Sequence, residues 1–243
     1  MFKIAISSIV VVSGIWLAGP VNAASLDLGF VIGSETNLGA SYSPDTNLTI
    51  SARGNVDPGD DLNPDALGLQ PDSSDNTIVL SNKGMGVQEP NGHSGSAGIS
   101  GKGHEENEEV IFDFGLSMWA SSMVLGLADM DFGLKHGEVK TQPLLYLFLG
   151  RDVGRQDGFG NEIDYLVFDT EDIASEFEFT GGDASTLTGT LAFGDLVPHL
   201  DVFGLALFAN DLVSSFTLRN SAGEIYITSY NVRVIAILEK GNP

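Results

Sequence analysis

"GHEENEEVIFDFG", Gly103 to Gly115, places one histidine and four glutamates directly ahead of an apolar run. Under the two-residue repeat of a β-strand, Val110, Phe112 and Phe114 share one face, and Glu109, Ile111 and Asp113 share the other. The aromatic face predicts a core. Glu105, Glu106 and Glu109 are expected to point to water, the ordinary position of charges where a strand enters a core. Glu108 has the parity of Val110 and Phe112, so it is expected either just beyond the core or as an inward acid at the rim that needs a partner.

The same alternation recurs on both sides of this segment. "SLDLGFVIG" (25–33), "TNLTISARG" (46–54), "TIVL" (77–80), "PLLYLFLG" (143–150), "IDYLVFD" (163–169), "STLTGTLAF" (185–193), "VFGLALFA" (202–209) and "SSFTLRN" (214–220) all read as strands. So does "EIYITSYNVRVIAILE" (224–239). "MWASSMVLGLADMDFG" is apolar on both parities, as a strand with neighbours on both faces would be, with a short helix over Leu116 to Leu127 as the rival. "TEDIASEFEF" opens with a threonine and an acidic turn and predicts one turn of helix. Asn55–Asn76, Asn91–Gly103 and "RDVGRQDGFGNE" read as loops from their Gly, Pro, Ser and Asp content. Many short strands without long helices predict an all-β fold, an antiparallel β-sandwich of jelly-roll type with long acidic and Gly-rich loops.

The N-terminus, "MFKIAISSIVVVSGIWLAGPVNAAS", has a basic residue, an apolar run from Ile4 to Leu17, and small residues around Val21-Asn22-Ala23. This layout predicts a signal peptide over residues 1–23, cut after Ala23, and a single sandwich domain over 24–243. The alternative is a retained anchor, but the apolar run is shorter than the ~20 residues a bilayer span needs. The expected location is secreted or at the cell surface, with no membrane span after cleavage. Charge narrows the partners. With 33 Asp+Glu against 11 Lys+Arg, a net charge of −22 disfavours nucleic acid and anionic surfaces. The absence of cysteine excludes thiol nucleophiles and thiolate metal sites, and leaves stability to the core.

Catalytic signatures are sparse. His93, His104, His136 and His199 are scattered, with no HExxH spacing and no nucleophile elbow. Asp129 and Asp131, two residues apart on an extended segment, are expected on one face. With Glu108 they form the candidate metal set, a hard-oxygen site of the kind Ca²⁺ takes, and Ca²⁺ is the expected cofactor if that set is real. The alternative is that the two aspartates solvate a turn. Asp57–Asp65 and "DGFGNE" (157–162) lack the EF-hand series and read as solvated turns. A carbohydrate platform would rest on Trp119, Tyr42, Tyr146 or Tyr165. Asn47-Leu48-Thr49 is an N-glycosylation sequence whose use depends on the host.

"NKGMGVQ" (82–88), "ISGKGHEENEEVIFDFG" (99–115) and "MVLGLADMDF" (123–132) together resemble the ectodomains of exosortase-sorted (PEP-CTERM) bacterial surface proteins. The matching positions are Gly84, Gly86, Val87, Asn107, Glu108, Asp129 and Asp131. "SFTLRN…YITSYNVRVIAIL" resembles their closing hairpin. The resemblance implies an exported β-sandwich with surface or matrix roles and assigns no ligand. It also implies a Pro-Glu-Pro motif, an apolar helix and a basic tail after "LEKGNP", where this sequence has none; the expectation is a secreted relative or a tail outside this sequence. The function expected from all this is a non-enzymatic extracytoplasmic protein that binds extracellular polysaccharide or matrix proteins, with structural Ca²⁺. The alternatives are a polysaccharide hydrolase or lyase using Glu108 and Asp131, and a purely self-assembling surface protein.

Overall fold

A computed structural model describes residues 36–56, 76–88, 98–102, 107–133, 140–149, 164–183 and 186–232. Among them are fourteen strands linked through hydrogen-bonded neighbours, and every pairing is antiparallel. The all-β, antiparallel sandwich expected from the sequence is present.

The first layer runs β2 (Ser41–Asp45), β3 (Leu48–Val56), β7 (Asn107–Trp119), β13 (Leu212–Asn220), β9 (Pro143–Leu149), β10 (Tyr165–Phe168). The second runs β1 (Thr36–Gly39), β4 (Thr77–Leu80), β5 (Met85–Gln88), β14 (Ala222–Val232), β8 (Met123–Met130), β12 (Thr186–Ala192), β11 (Glu178–Asp183). The short strand β6 (Ile99–Lys102) joins them. It pairs with residues 222–225 of β14 and meets β7 at Gly101–Asn107, while the rest of β14 pairs with β8. β14 therefore serves the corner with one half and the second layer with the other.

The core lies where alternation places it. Phe112 and Phe216, on neighbouring strands of the first layer, stack at 4.5 Å between ring centroids. Tyr230 of the second layer reaches Phe112 at 5.3 Å, Phe114 at 5.7 Å and Phe216 at 5.8 Å, and Phe193 stands edge-on to Phe216 at 5.2 Å. Full burial of each such ring contributes about 1.5–3 kcal/mol. In β14 the core parity changes partway, from Ile225 and Ile227 to Tyr230. The register with β8 shifts between Ile227 and Ser229, so one extra residue moves the side chains to the other parity.

The sequence expectations meet the structure unevenly. β8 is buried on both faces, as its double apolar parity predicts, and the rival helix shrinks to a single 3₁₀ turn at Ala120–Ser122 between β7 and β8. The helical turn in "TEDIASEFEF" is α1 (Thr170–Glu176), with the Asp169 carboxylate accepting from the Glu171 and Asp172 N–H groups. Two expectations fail. The Gly-rich stretch before Gly103 is not loop throughout, because Ile99–Lys102 is strand β6. Its glycine is there for close approach: a Cβ at Gly101 would collide with the backbone of Ser221 and Ala222. "VFGLALFA" is not a strand, because Asp201 and Asp211 fold it into turns, as described below. The strand read at 25–33, the cleavage site after Ala23, the loop read at 151–162, and the parts of the other two loop readings at 57–75 and 91–97 lie outside the described residues, while Asn55 and Val56 belong to β3.

Candidate functional site

The three residues of the candidate metal set sit in three separate settings. Glu108 opens β7 at the corner and is buried, and its Oε2 accepts the Ser100 N–H at 2.6 Å. Beside it, Asn220 donates to the Ile99 carbonyl at 3.0 Å and the Gly223 carbonyl at 3.2 Å, and accepts from the Gln142 N–H at 3.2 Å. The inward acid thus has a backbone amide as partner and ties β6 to β7.

Asp129 has φ +59°, and the register of β8 against β12 shifts around it, between Leu187–Met130 and Gly189–Leu127. A left-handed residue in a strand interrupts the alternation on which a shared face for Asp129 and Asp131 depended. Its carboxylate accepts from Lys83 Nζ at 2.7 Å, and that ammonium lies 5.0 Å from the centre of the Tyr226 ring. The hydrogen bond to Asp129 raises the Lys83 pKa, and burial partly opposes the rise.

Asp131 closes the turn after β8. Its Oδ1 accepts the Gly133 N–H at 3.0 Å, and Lys140 Nζ stands 4.0 Å from Oδ2. Its backbone N–H donates to the Thr141 hydroxyl at 2.9 Å. A Ca²⁺ ion on these three residues would have to displace an amide from Glu108 and compete with a lysine at each aspartate, so the donor set does not fit the ion. Among the described residues, no group of three or more His, Asp or Glu is gathered as a metal site. The acidic segments at Asp57–Asp65 and 157–162, and His93, His104 and His136, lie outside the described residues.

Glu109 corrects the sequence reading. It does not point to water but is fully buried on the outer side of the first layer. It lies directly across from Arg219 of β13 and Arg53 of β3. Arg219 Nε and Nη2 donate to Glu109 Oε2 at 3.3 Å each, and Arg53 Nη1 stands 3.8 Å from Oε1, which accepts no hydrogen bond. The Arg219 guanidinium lies 5.3 Å from the centre of the buried Tyr146 ring. Burial pushes the Glu109 carboxyl above its ordinary value, with Arg219 and then Arg53 pulling the other way. The available signal was the isolation of two arginines within apolar strand segments of an acid-rich chain; in-register pairing turns such a cation into a partner for a buried acid.

The segment from Leu200 to Asp211 is the second feature the sequence reading missed. Asp201 is buried, and its carboxylate accepts three backbone N–H groups, those of Leu205 at 2.8 Å, Phe203 at 3.0 Å and Val167 at 3.0 Å. The Val202 N–H donates to the Val167 carbonyl at 3.0 Å, so the outer edge of β10 is closed at that residue. Asp211 accepts the Phe208 N–H at 2.8 Å, while its carbonyl accepts the Ala120 N–H at 2.9 Å. Gly204, at φ +78°, supplies the left-handed turn. With these bonds made inside the loop, the backbone has no call for a strand partner.

The loop holds its apolar side chains in solvent. Leu200 is 60% exposed, Val202 37%, Phe203 47% and Phe208 50%. Phe203 stands edge-on to Tyr165 at 6.2 Å, and Tyr165 lies 6.2 Å from Phe148, so a chain of rings leads from the sheet to the loop. At its start, His199 bridges α1, with Nε2 2.6 Å from Glu176 and Nδ1 3.4 Å from Asp172. Burial, then the Asp169 charge, raises the Asp172 pKa, and His199 acts against the rise. The partners given to His199 are carboxylates, not a hydroxyl it could activate. Of the residues expected to form a carbohydrate platform, Tyr146 is buried, Tyr42 packs on the core, and Trp119 and Tyr165 are half-buried.

Compared with known proteins, the chain matches no family model, no curated protein and no solved structure. The fold and the site therefore define a class only: an antiparallel β-sandwich with buried carboxylates engaged in its own structure and an aspartate-braced apolar loop at one edge.

Proposed function

We propose that the chain is an exported, non-enzymatic protein of the cell surface or extracellular matrix, and that it works by binding. The observation that carries this reading is the division of labour among its polar and apolar groups. Glu108, Glu109, Asp201 and Asp211 are buried and bonded to the fold itself, whereas four of the six exposed large apolar side chains among the described residues lie on one braced loop. A hydrolase of the paired-carboxylate type needs one acid free to donate a proton and another free to meet a sugar or a water. Glu108 and Asp131, the pair expected for that chemistry, are instead held by Ser100 and by Gly133. The leader-like N-terminus and the resemblance to exosortase-sorted ectodomains support export. Polysaccharide and matrix protein are the two ligand classes this reading admits.

The test is to incubate the purified full chain with a panel of extracellular polysaccharides and assay new reducing ends, unsaturated products and retention on the polymer. No cleavage is expected. Cleavage that disappears in Asp131→Asn, at unchanged melting temperature, would replace this reading with the hydrolase or lyase.

A further inference from the structure

The Leu200–Phe208 loop has three properties that together describe its partner. Its apolar groups are presented rather than hidden, at the exposures given above. It is ordered in advance, because Asp201 and Asp211 accept four backbone N–H groups of the loop and of β10. A preordered loop gives up little conformational freedom on binding, and exposed aromatic anchors are what concentrate affinity in protein interfaces.

The third property is charge. Between Arg155 and Arg219 the sequence contains twelve Asp and Glu and no Lys or Arg. Asp164, next to Tyr165, is exposed, as are Asp195 before the loop and Glu171 on α1, the helix bridged by His199. An apolar tip flanked by exposed acids on the neighbouring segments, here called its acidic rim, complements a surface that carries apolar anchors among positive charges. A second copy of the chain would set one acidic rim against another, and an anionic bilayer or acidic polysaccharide would be repelled likewise. An uncharged glycan offers nothing to the rim. It also prefers flat stacking, whereas the Phe203 and Tyr165 rings are perpendicular, at 90°.

We propose that the Leu200–Phe208 loop and the acidic rim around it form the docking surface for a cationic, amphipathic segment of a partner protein. This rests on the non-enzymatic binding reading and chooses between its two ligand classes.

The probe is a synthetic helical peptide of lysine and leucine at amphipathic spacing, titrated into the full chain by fluorescence anisotropy. A peptide of equal charge, with serine replacing leucine, is the control. Phe203→Ser/Phe208→Ser keeps the charge and should weaken binding of the leucine peptide by about 10-fold or more at unchanged melting temperature. Leu116→Ser, which removes a 58% exposed leucine elsewhere, should leave binding unaltered. Added salt should weaken wild-type binding. Equal binding of both peptides, or equal affinity of the double phenylalanine variant, would show that bulk charge alone acts and would overturn the proposal. So would a wild-type dimer dissolved by the double variant, or variant-sensitive retention on phosphatidylcholine vesicles or a neutral polysaccharide. None of these outcomes releases reducing ends, so failure here leaves the non-enzymatic reading standing, and cleavage would remove that reading whatever the peptides do.

Discussion

Strand β7 buries side chains on both of its faces, by opposite means. One face carries Phe112 and Phe114 into a cluster of rings, and the other carries Glu109 into a pair with Arg219. Apolar packing is non-directional, so its loss is graded by the volume removed. A buried charge pair is closer to all-or-none, because neither member tolerates the absence of the other. The two sides should therefore answer substitution differently, though each matters about equally.

The largest effects test that contrast directly. Phe216→Ala and Arg219→Met should each cost about 3–5 kcal/mol in denaturant unfolding. Glu109→Leu combined with Arg219→Met should recover most of the loss, because a matched apolar pair replaces a matched charged one. Arg53, part-exposed in the ion pair, keeps access to water in that double variant. No such rescue is available at Phe216. A double variant as weak as Arg219→Met alone would break the comparison.

The next effect is in pH. Burial holds the folded Glu109 carboxyl above its ordinary value, so protons bind the folded state more readily than the unfolded one. The stability contributed by this group is complete below the unfolded carboxylate range and is lost as pH rises through the folded value. The difference between wild type and Glu109→Gln should therefore shrink over that rise and then level off. A difference that widens with pH would mean that the two arginines outweigh burial.

A smaller change is expected at the loop. Asp201→Ala leaves three backbone N–H groups without their acceptor, at about 1–3 kcal/mol, and should open the segment from Leu200 to Asp211 to limited proteolysis. Unchanged proteolysis would show that the loop does not depend on this brace. The smallest is at Lys83, 51% exposed, where Lys83→Met should cost about 0–1 kcal/mol. A rise in wild-type melting on adding Ca²⁺ that Asp129→Asn abolishes would put a cation where Lys83 now sits.

The same contrast explains what was legible from sequence. Val110, Phe112 and Phe114 declare their face because alternation is local. β8 declares two buried faces because apolar residues fill both parities. Glu109 was misread because its environment is set by Arg219, 110 positions away, and by Arg53 on a third strand. Composition records such residues but not their register. Asp129 was misread for a local reason: a single left-handed residue reverses parity, and nothing in "LADMDFG" marks the position. In "VFGLALFA" the apolar content suggested a strand, while the flanking Asp201 and Asp211 supply turns that compete with one. For the site, the acids were visible from the start, but which of them the fold engages depends on partners distant in the chain.

One further consequence follows from β14, whose two halves belong to the corner and to the second layer. Its partners β5 and β6 lie more than a hundred residues earlier, and Asn220, just before it, bonds to Ile99 across 121 positions. The pairing that locks the layers together therefore waits until nearly all the described chain is present. Folding dominated by such distant pairings is slow, on the order of milliseconds to seconds. On the export proposed above, that delay would be useful: the polypeptide would stay loose enough for translocation as an extended thread and would zip shut on the far side.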